Sequence, residues 1–343
     1  MKKDLLNLLD GIQEEGESIP QNERIILIDG LNLFFRNFSA INAVNSNGVH
    51  VGGLGGFFRS LGALIRQIEP TKVYVVFDGI GSSNNRKNII STYKSGRNTS
   101  RVTKHALFDN IEEEDDSKIE QIVRIIQYLK TLPVHVITMA GVEADDVIAY
   151  MSNTIIKNED DRVFIVSSDK DYLQLITRQI IVYRPIEREY YTEEVVKQKF
   201  KLNPENFIIY KTLMGDSSDV LPGIKGLGEK KLFKLFPELS ERHVTFEDVL
   251  KISEEKLKEN VIYARILDDI PLLEDKLKIM DLSNPMMTED DKKWVDEFVE
   301  TDELEFHPKE FIEMYNEDQI GGLIRNVEVW IQDIFKDLLP NQE

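Results

Sequence analysis

The chain has 343 residues, 41% of them apolar, enough for two or three domains with a sizeable core, and no apolar run nears the roughly 18 residues that span a bilayer. It has no cysteine, which excludes disulfides, thiolate metal sites and a cysteine nucleophile and fits a reducing cytoplasm; with five histidines, a bound metal would take oxygen ligands, which points to Mg²⁺ or Mn²⁺. The net charge of −19 would argue against a polyanionic partner if it were evenly spread, but it is not.

The first 23 residues begin "MKKDLLNLLDGIQEEGESIP", too acidic and with too short an apolar part for a secretory signal, and read as an extension. Residues 24–29, "RIILID", read as a buried strand ending in Asp29, followed by a turn or helix over 30–42. A helix with a glycine-rich entry is expected over 52–68, and a second buried strand, "TKVYVVFD", over 71–78, ending in Asp78. Residues 79–108 contain no acid at all but hold Arg86, Lys87, Lys94, Arg97, Arg101, Lys104 and His105. The spacing predicts a helix over 111–132, whose acidic start "EEEDDSKIE" reads as solvated, then a short strand "PVHVITM" and a helix over 144–156. "RVFIVSSD", 162–169, is a third strong strand ending in aspartate, and "QIIVYRP", 179–185, a fourth. Strands that alternate with helices predict a parallel α/β sheet, whose functional crevice lies beyond the carboxyl ends of its strands. From about residue 190 the pattern turns helical.

Five separated segments bring acids to that edge: "LIDG" (Asp29), "VFDG" (Asp78), "VEADD" (Glu143, Asp145, Asp146), "SSDKD" (Asp169, Asp171) and "GDSSD" (Asp216, Asp219). One aspartate at a strand end is often a helix cap, and acids suit a first helical turn. Nine converging carboxylates repel one another and call for cations. Two divalent ions about 3.5–4 Å apart can activate water and stabilise the leaving oxygen of a phosphodiester. "DKDYLQL" lacks the glycine and later glutamate of an EF-hand loop, Gly223 and Gly228 stand at P-loop spacing but Glu229 takes the place of the lysine, and neither Ser/His/Asp spacing nor a Rossmann fingerprint after the first strand is present.

The charge is also divided. Residues 241–343 hold 28 acids against 12 lysines and arginines, whereas residues 1–240 hold 33 against 30. Within the latter, "NRKNIISTYKSGRNTSR" reads either as a solvated basic helix or as a grip on a phosphate backbone, with Tyr93 stacking on a base. "DVLPGIKGLGEKKLFKLF", 219–236, sets Pro222, Gly223, Gly226 and Gly228 between two helices. Its backbone amides, with Lys225, Lys230 and Lys231, suit a DNA phosphate; a plain helix–turn–helix connection is the alternative.

In this order the motifs "LIDGLNLFFR", "VVFDG", the run from Arg86 to Arg97, "GVEADDVIAYM", "VSSDKDYLQL" and "GDSSDVLPGIKGLGEKKLFKLF" resemble the 5′-nuclease superfamily. That superfamily includes flap endonucleases, the 5′-nuclease domain of bacterial DNA polymerase I, and phage 5′→3′ exonucleases and ribonuclease H. The likeness covers about residues 24–236. It implies a PIN-like catalytic domain over 24–190, a parallel twisted sheet flanked by helices, with a helical arch at about 82–116. It also implies a helix–three-turn–helix DNA-binding region over 191–240, leaving an acidic helical region over 241–343. Carried over by position, Asp29, Asp78, Glu143, Asp145 and Asp146 would serve one metal site and Asp169, Asp171, Asp216 and Asp219 a second, with two Mg²⁺ that Mn²⁺ can replace. Lys94 and Arg97 would contact the scissile phosphate, Tyr93 would stack on the unpaired nucleotide, and Arg36 and Arg86 would lie near the 5′ end of the cut strand. The glycine turn would hold K⁺ between its carbonyls and a phosphate. The implied partners are DNA and RNA–DNA hybrids with 5′ flaps, nicks or ends, met by a monomer in the cytoplasm (the host's, for a virus) and not at a membrane.

Two rival readings stand beside this one. A non-catalytic structure-specific DNA-binding protein gains nothing from a repulsive carboxylate cluster, and a PIN-type ribonuclease is usually shorter and lacks the glycine turn. "NVEVWIQDIFKDLL", 326–339, reads as an amphipathic helix, either packed in the core or a docking surface for a single-strand-binding protein or sliding clamp.

Overall fold

The computed structural model describes residues 22–95, 102–104 and 106–339. Arg97, Arg101 and His105 of the basic segment lie outside the described residues. The strands are β1 (Arg24–Asp29), β2 (Lys72–Asp78), β3 (His135–Met139), β4 (Arg162–Val166), β5 (Ile180–Arg184) and β6 (Glu189–Tyr191). They form one sheet in the order β3-β2-β1-β4-β5-β6, parallel except for β6. The chain runs outward from β1 in both directions, so the switch point lies between β1 and β4, where open α/β sheets bind their ligands.

The strands read as near-continuous apolar runs because both faces are covered. Ile26 and Ile28 point to one face with Val73 and Val75; there α1 (Gly30–Ala40), α2 (Gly52–Ile68) and α4 (Ile111–Leu129) supply Phe34, Phe57, Phe58 and Tyr128. The short helix α3 (Asn84–Ile89) lies in the basic segment between β2 and α4. Ile25 and Leu27 point the other way with Val76, packing on Val147, Ile148 and Met151 of α5 (Ala144–Thr154). Beyond the sheet, α6 (Glu193–Phe200), α7 (Phe207–Met214), α8 (Glu229–Leu235) and α9 (Glu238–Glu241) lead into α10 (Phe246–Glu255), α11 (Val261–Asp268) and α12 (Ile270–Met280). Val196 of α6 packs with the sheet cluster, whereas α7 to α12 share another, from Ile209 and Leu213 through Ile224, Leu227 and Leu232 to Ile262, Ile266 and Leu273, so the boundary expected at residue 240 falls inside a single core.

The last helices, α13 (Glu289–Thr301), α14 (Pro308–Glu317) and α15 (Val327–Phe335), return to the sheet. Phe311, Trp330, Ile331 and Phe335 are buried in the same cluster as β1 and α2. The amphipathic C-terminal helix is therefore core on its apolar side. Gly62 of α2 makes room for it, since a Cβ there would stand 2.6 Å from Cζ2 of Trp330. Among the described residues no helix is long and apolar enough to cross a membrane.

Three local outcomes differ from expectation. β4 stops at Val166 and not at Asp169, because Ser168 donates its amide to the Asn32 side chain and Asp169 donates its amide to Ser167 Oγ. β6 carries no apolar alternation by which to foresee it. The acidic start of α4 is not all solvated: Glu114 is buried, accepting from Thr103 N (2.7 Å) and Oγ1 (2.6 Å), Lys104 N (3.0 Å) and Lys118 Nζ (2.9 Å). It thereby ties the far end of the basic segment to α4.

Gly62→Ala is expected to cost about 1–3 kcal/mol by displacing Trp330, read from the urea midpoint. Burial by itself raises a carboxylate pKa, but the bonds from Thr103, Lys118 and Lys104 outweigh it and bring Glu114 from 4.5 to about 2. A depressed folded-state pKa stabilises above the unfolded value and is lost as pH falls toward the folded one. Thermal melts should show Glu114→Gln well below wild type at pH 7, with the gap closing between about pH 4.5 and 2.

Candidate active site

The strand ends are laced together by short polar contacts. Asp29 ends β1 and caps α1, accepting from the Asn32 amide (2.9 Å) and from the Ser167 hydroxyl (3.2 Å). Asp169 Oδ1 accepts from the Asp171 amide at 2.9 Å. Asp78, at the end of β2, accepts from the amide of Ala144, the first residue of α5 (2.7 Å), and Asp145 accepts from the Tyr172 hydroxyl (2.6 Å). Burial lifts the Asp29 carboxyl well above the usual range, and Asp145, Asp78 and Asp169 lift it further, while the Asn32 amide opposes them. Desolvation likewise raises Asp78, with Asp145 and Glu143 adding to it while the Ala144 amide and Lys94 pull it down. Five of the nine predicted acids, Asp29, Asp78, Glu143, Asp145 and Asp169, thus face one another closely enough to oppose one another's ionisation.

Asp146 and Arg86 call for a correction. They were expected at a metal and at DNA, but Arg86 is 4% exposed and Asp146 1%. Nη1 and Nη2 of Arg86 reach Asp146 Oδ2 and Oδ1 at 2.6 and 2.9 Å, and Met286 N donates to Asp146 Oδ1 at 2.9 Å. Arg86 Nε donates to Ile279 O (2.8 Å), and Nη1 lies 3.1 Å from Glu143 Oε2. Burial would lower an arginine's pKa; Asp146 and Glu143 more than offset it, and the guanidinium stays charged. Both residues are spent on each other inside the protein. Tyr93 is corrected too: at 3% exposure it packs with Ile90, Leu221, Ile279 and Met280, and its hydroxyl donates to Glu143 (3.2 Å), so no ring face is offered to a nucleotide. Lys94 reaches Glu143 Oε2 at 2.8 Å.

The second group is tighter. Asp171, Asp216 and Asp219 each bring a carboxylate oxygen within 4.8 Å of the others. The Lys211 ammonium contacts both Asp171 and Asp216, the latter at 2.7 Å. Ser218 donates to Asp216 through N (2.8 Å) and Oγ (2.6 Å). Burial raises Asp216, yet Lys211 and Ser218 bring it down to about 2. Lys94 N donates to Asp219 O at 3.0 Å, which joins the basic segment to this group.

In the glycine turn Leu221, Ile224 and Leu227 are buried, while Gly223, Lys225, Gly226, Gly228 and Lys230 are exposed and Lys231 is half-buried. Gly223 permits the close approach to α7, where a Cβ would lie 2.0 Å from Met214 O. Arg36 donates to Pro185 O (3.0 Å); burial lowers its pKa, and nearby Arg188 and Arg59 lower it further, so it belongs to a patch of three arginines.

The residues fit a divalent cation. Glu143 Oε1 is buried with no hydrogen-bond partner among the described residues, the donors at hand are carboxylate oxygens, and like charges crowd the site. Sequence reading missed Asn32, Ser167, Tyr172 and Lys211. The three-residue step from Asp29 to Asn32 is a helix-cap signal; Lys211, one lysine on a helix, gave none.

Arg86→Ala would leave the Asp146 carboxylate in the interior with the Met286 amide but without its cation. It should cost about 3–5 kcal/mol in urea unfolding, whereas loss of a surface DNA contact would move stability by less than about 0.5 kcal/mol.

Residues 24–201 match the family model described as the 5′-3′ exonuclease N-terminal, resolvase-like domain. A 5′-3′ exonuclease of Aquifex aeolicus is 31% identical over 228 residues, 66% of this chain and 72% of that protein. DNA polymerase I of Lactococcus lactis is 33% identical over 250 residues, 70% of this chain and 27% of the polymerase, so the chain spans about a quarter of such relatives. Among solved structures, the flap endonuclease of bacteriophage T5, in a complex with DNA and metal ions, matches with TM-score 0.61 at 21% identity, covering 86% of this chain and 99% of that one. At that identity the likeness is one of fold. The family match over more than half of the chain, with a relative above 30% identity, establishes that the chain belongs to the 5′-3′ exonuclease family.

Proposed function

We propose that the protein is a structure-specific 5′ nuclease that hydrolyses phosphodiester bonds with two Mg²⁺, acting on 5′ flaps, nicked duplexes and RNA primers paired to DNA. The observation that carries this reading is the convergence of two carboxylate groups at the switch point: Asp29, Asp78 and Asp145 with Asp169, and Asp171 with Asp216 and Asp219. Divalent ions bound there supply Lewis acidity toward water and toward the leaving oxygen. Asp29, Asp78, Glu143 and Asp145 would hold one and Asp169, Asp171, Asp216 and Asp219 the other. Asn32, Ser167 and Tyr172 orient those carboxylates through the bonds given above. The Lys94 ammonium, beside Glu143, would neutralise charge on the transferring phosphate, with Arg97 as its partner. The exposed glycine turn would hold the duplex, with Arg36 and its arginine neighbours toward the cut strand. A chain without cysteine suits the reducing cytoplasm in which such DNA lies.

The test is cleavage of a 5′-end-labelled flap duplex and a nicked RNA–DNA hybrid, in Mg²⁺ and in EDTA. Cutting near the junction should need the metal, and Asp169→Ala or Asp78→Ala should lower the rate about 100-fold or more while DNA affinity changes little. Tight binding with no cutting in Mg²⁺ or Mn²⁺ would instead favour a non-catalytic DNA-binding protein, and preference for single-stranded RNA a PIN-type ribonuclease.

A further inference from the structure

Lys211 stands among the carboxylates that would hold the second ion. It lies on α7, 7% exposed, and its ammonium contacts Asp171 and Asp216, the latter at 2.7 Å. These are two of the three carboxylates whose oxygens gather within 4.8 Å of one another, with Asp219 the third. Ser218 donates through N and Oγ to Asp216 Oδ1, which leaves Oδ2 toward Lys211. A buried ammonium shared by two carboxylates relieves their mutual repulsion, which is the service a metal ion would perform. Whichever of their oxygens a divalent ion took, it would lie close to that ammonium, and like charges oppose each other strongly where the dielectric is low. The first group differs. Arg86 and Lys94 contact it at Glu143, while Asp29 and Asp78 accept hydrogen bonds from amides and a hydroxyl. Lys211 also has room to withdraw, since it lines a cavity of about 700 Å³ with Lys170, Tyr210, Met214 and Ser217.

We infer that Lys211 is a built-in counter-ion of the second carboxylate group: it keeps Asp171 and Asp216 together in the metal-free protein and must give way before a divalent ion is held there. The second ion is then bound more weakly than the first, by an amount that Lys211 sets. Lys211 acts on the ion through the two carboxylates and through its charge, so it is a positioning residue of the site. The inference rests on the two-metal reading of the acid cluster.

The experiment is calorimetric titration of the full chain with Mn²⁺, after EDTA treatment and dialysis and with no DNA present. Wild type should bind two ions, the second at least about tenfold more weakly than the first. Lys211→Met, close to lysine in size but without its charge, should bind the second ion about tenfold more tightly than wild type, and Lys211→Gln likewise, while Lys211→Arg stays within about threefold of wild type. Thermal melts supply a second readout. Without metal, Lys211→Met and Lys211→Gln should unfold at a lower temperature than wild type, and at one fixed Mn²⁺ concentration they should gain more than wild type does. A lysine that merely braced the site would give the opposite, a variant both less stable and weaker for the ion. Equal affinity for the two ions in wild type would overturn the inference, and so would second-ion binding that is unchanged or weaker in Lys211→Met and Lys211→Gln. No Mn²⁺ binding by wild type would overturn the two-metal reading itself, an outcome distinct from two ions of equal affinity.

Discussion

Carboxylates that share a low-dielectric sheet edge cannot all ionise unless cations stand among them, and the molecule is arranged around that constraint. Asp29 illustrates it: burial and three neighbouring aspartates push its pKa upward, against the Asn32 amide. The chain meets the problem unevenly. Arg86 permanently neutralises Asp146 and leans on Glu143, Lys94 also reaches Glu143, and Lys211 bridges Asp171 and Asp216. Asp29 and Asp78 are held by amides and a hydroxyl that fix their direction, with Lys94 also drawing on Asp78.

The same region holds the backbone under strain. Lys94 and Val220 both lie in the left-handed region, at φ 55° and 60°, a conformation costly for any residue with a Cβ and most of all for a β-branched one. They flank the bond from Lys94 N to Asp219 O, and the reciprocal bonds between Asp216 and Leu221 close the turn around Val220. One short contact therefore couples the basic segment, Glu143 and the second acid group. A change in the basic segment would be felt by the carboxylates through the backbone as well as through charge.

Much of this could be read from residue order. Strands ending in Asp29 and Asp78 stood out because runs buried on both faces are apolar throughout, and the switch point follows from the alternation of strands with helices. What pattern could not show was which charges would be used up internally. Arg86 and Tyr93 lie in a stretch free of acids, which reads as a polyanion grip; yet their partners, Asp146 and Glu143, are some 50 to 60 residues away and meet them only through tertiary packing. Glu114 misleads in the opposite way, since an acidic run at a helix start looks solvated until a distant segment folds over it. Local periodicity reports which face is apolar, but not which polar group finds a partner inside.

The acidic last hundred residues gain a physical role from the same reasoning. Their net charge suggests a region kept away from DNA, but the contacts they make are selective. Ile279 O receives Arg86, Met286 N donates to Asp146, and Met280 O and Leu282 N clasp Gln174, just beyond Asp171. Arg265 and Lys276, two of the region's few bases, are directed at the glycine turn, and Phe311 and Trp330 close the core over α2. The acids lie largely on exposed faces, so their repulsion is screened by solvent, whereas the bases and backbone groups that touch the site act at hydrogen-bond range. In the proposed function, a polyanion following the turn would meet the local positive groups before the distant negative ones, so that local sign and not net charge would govern its binding.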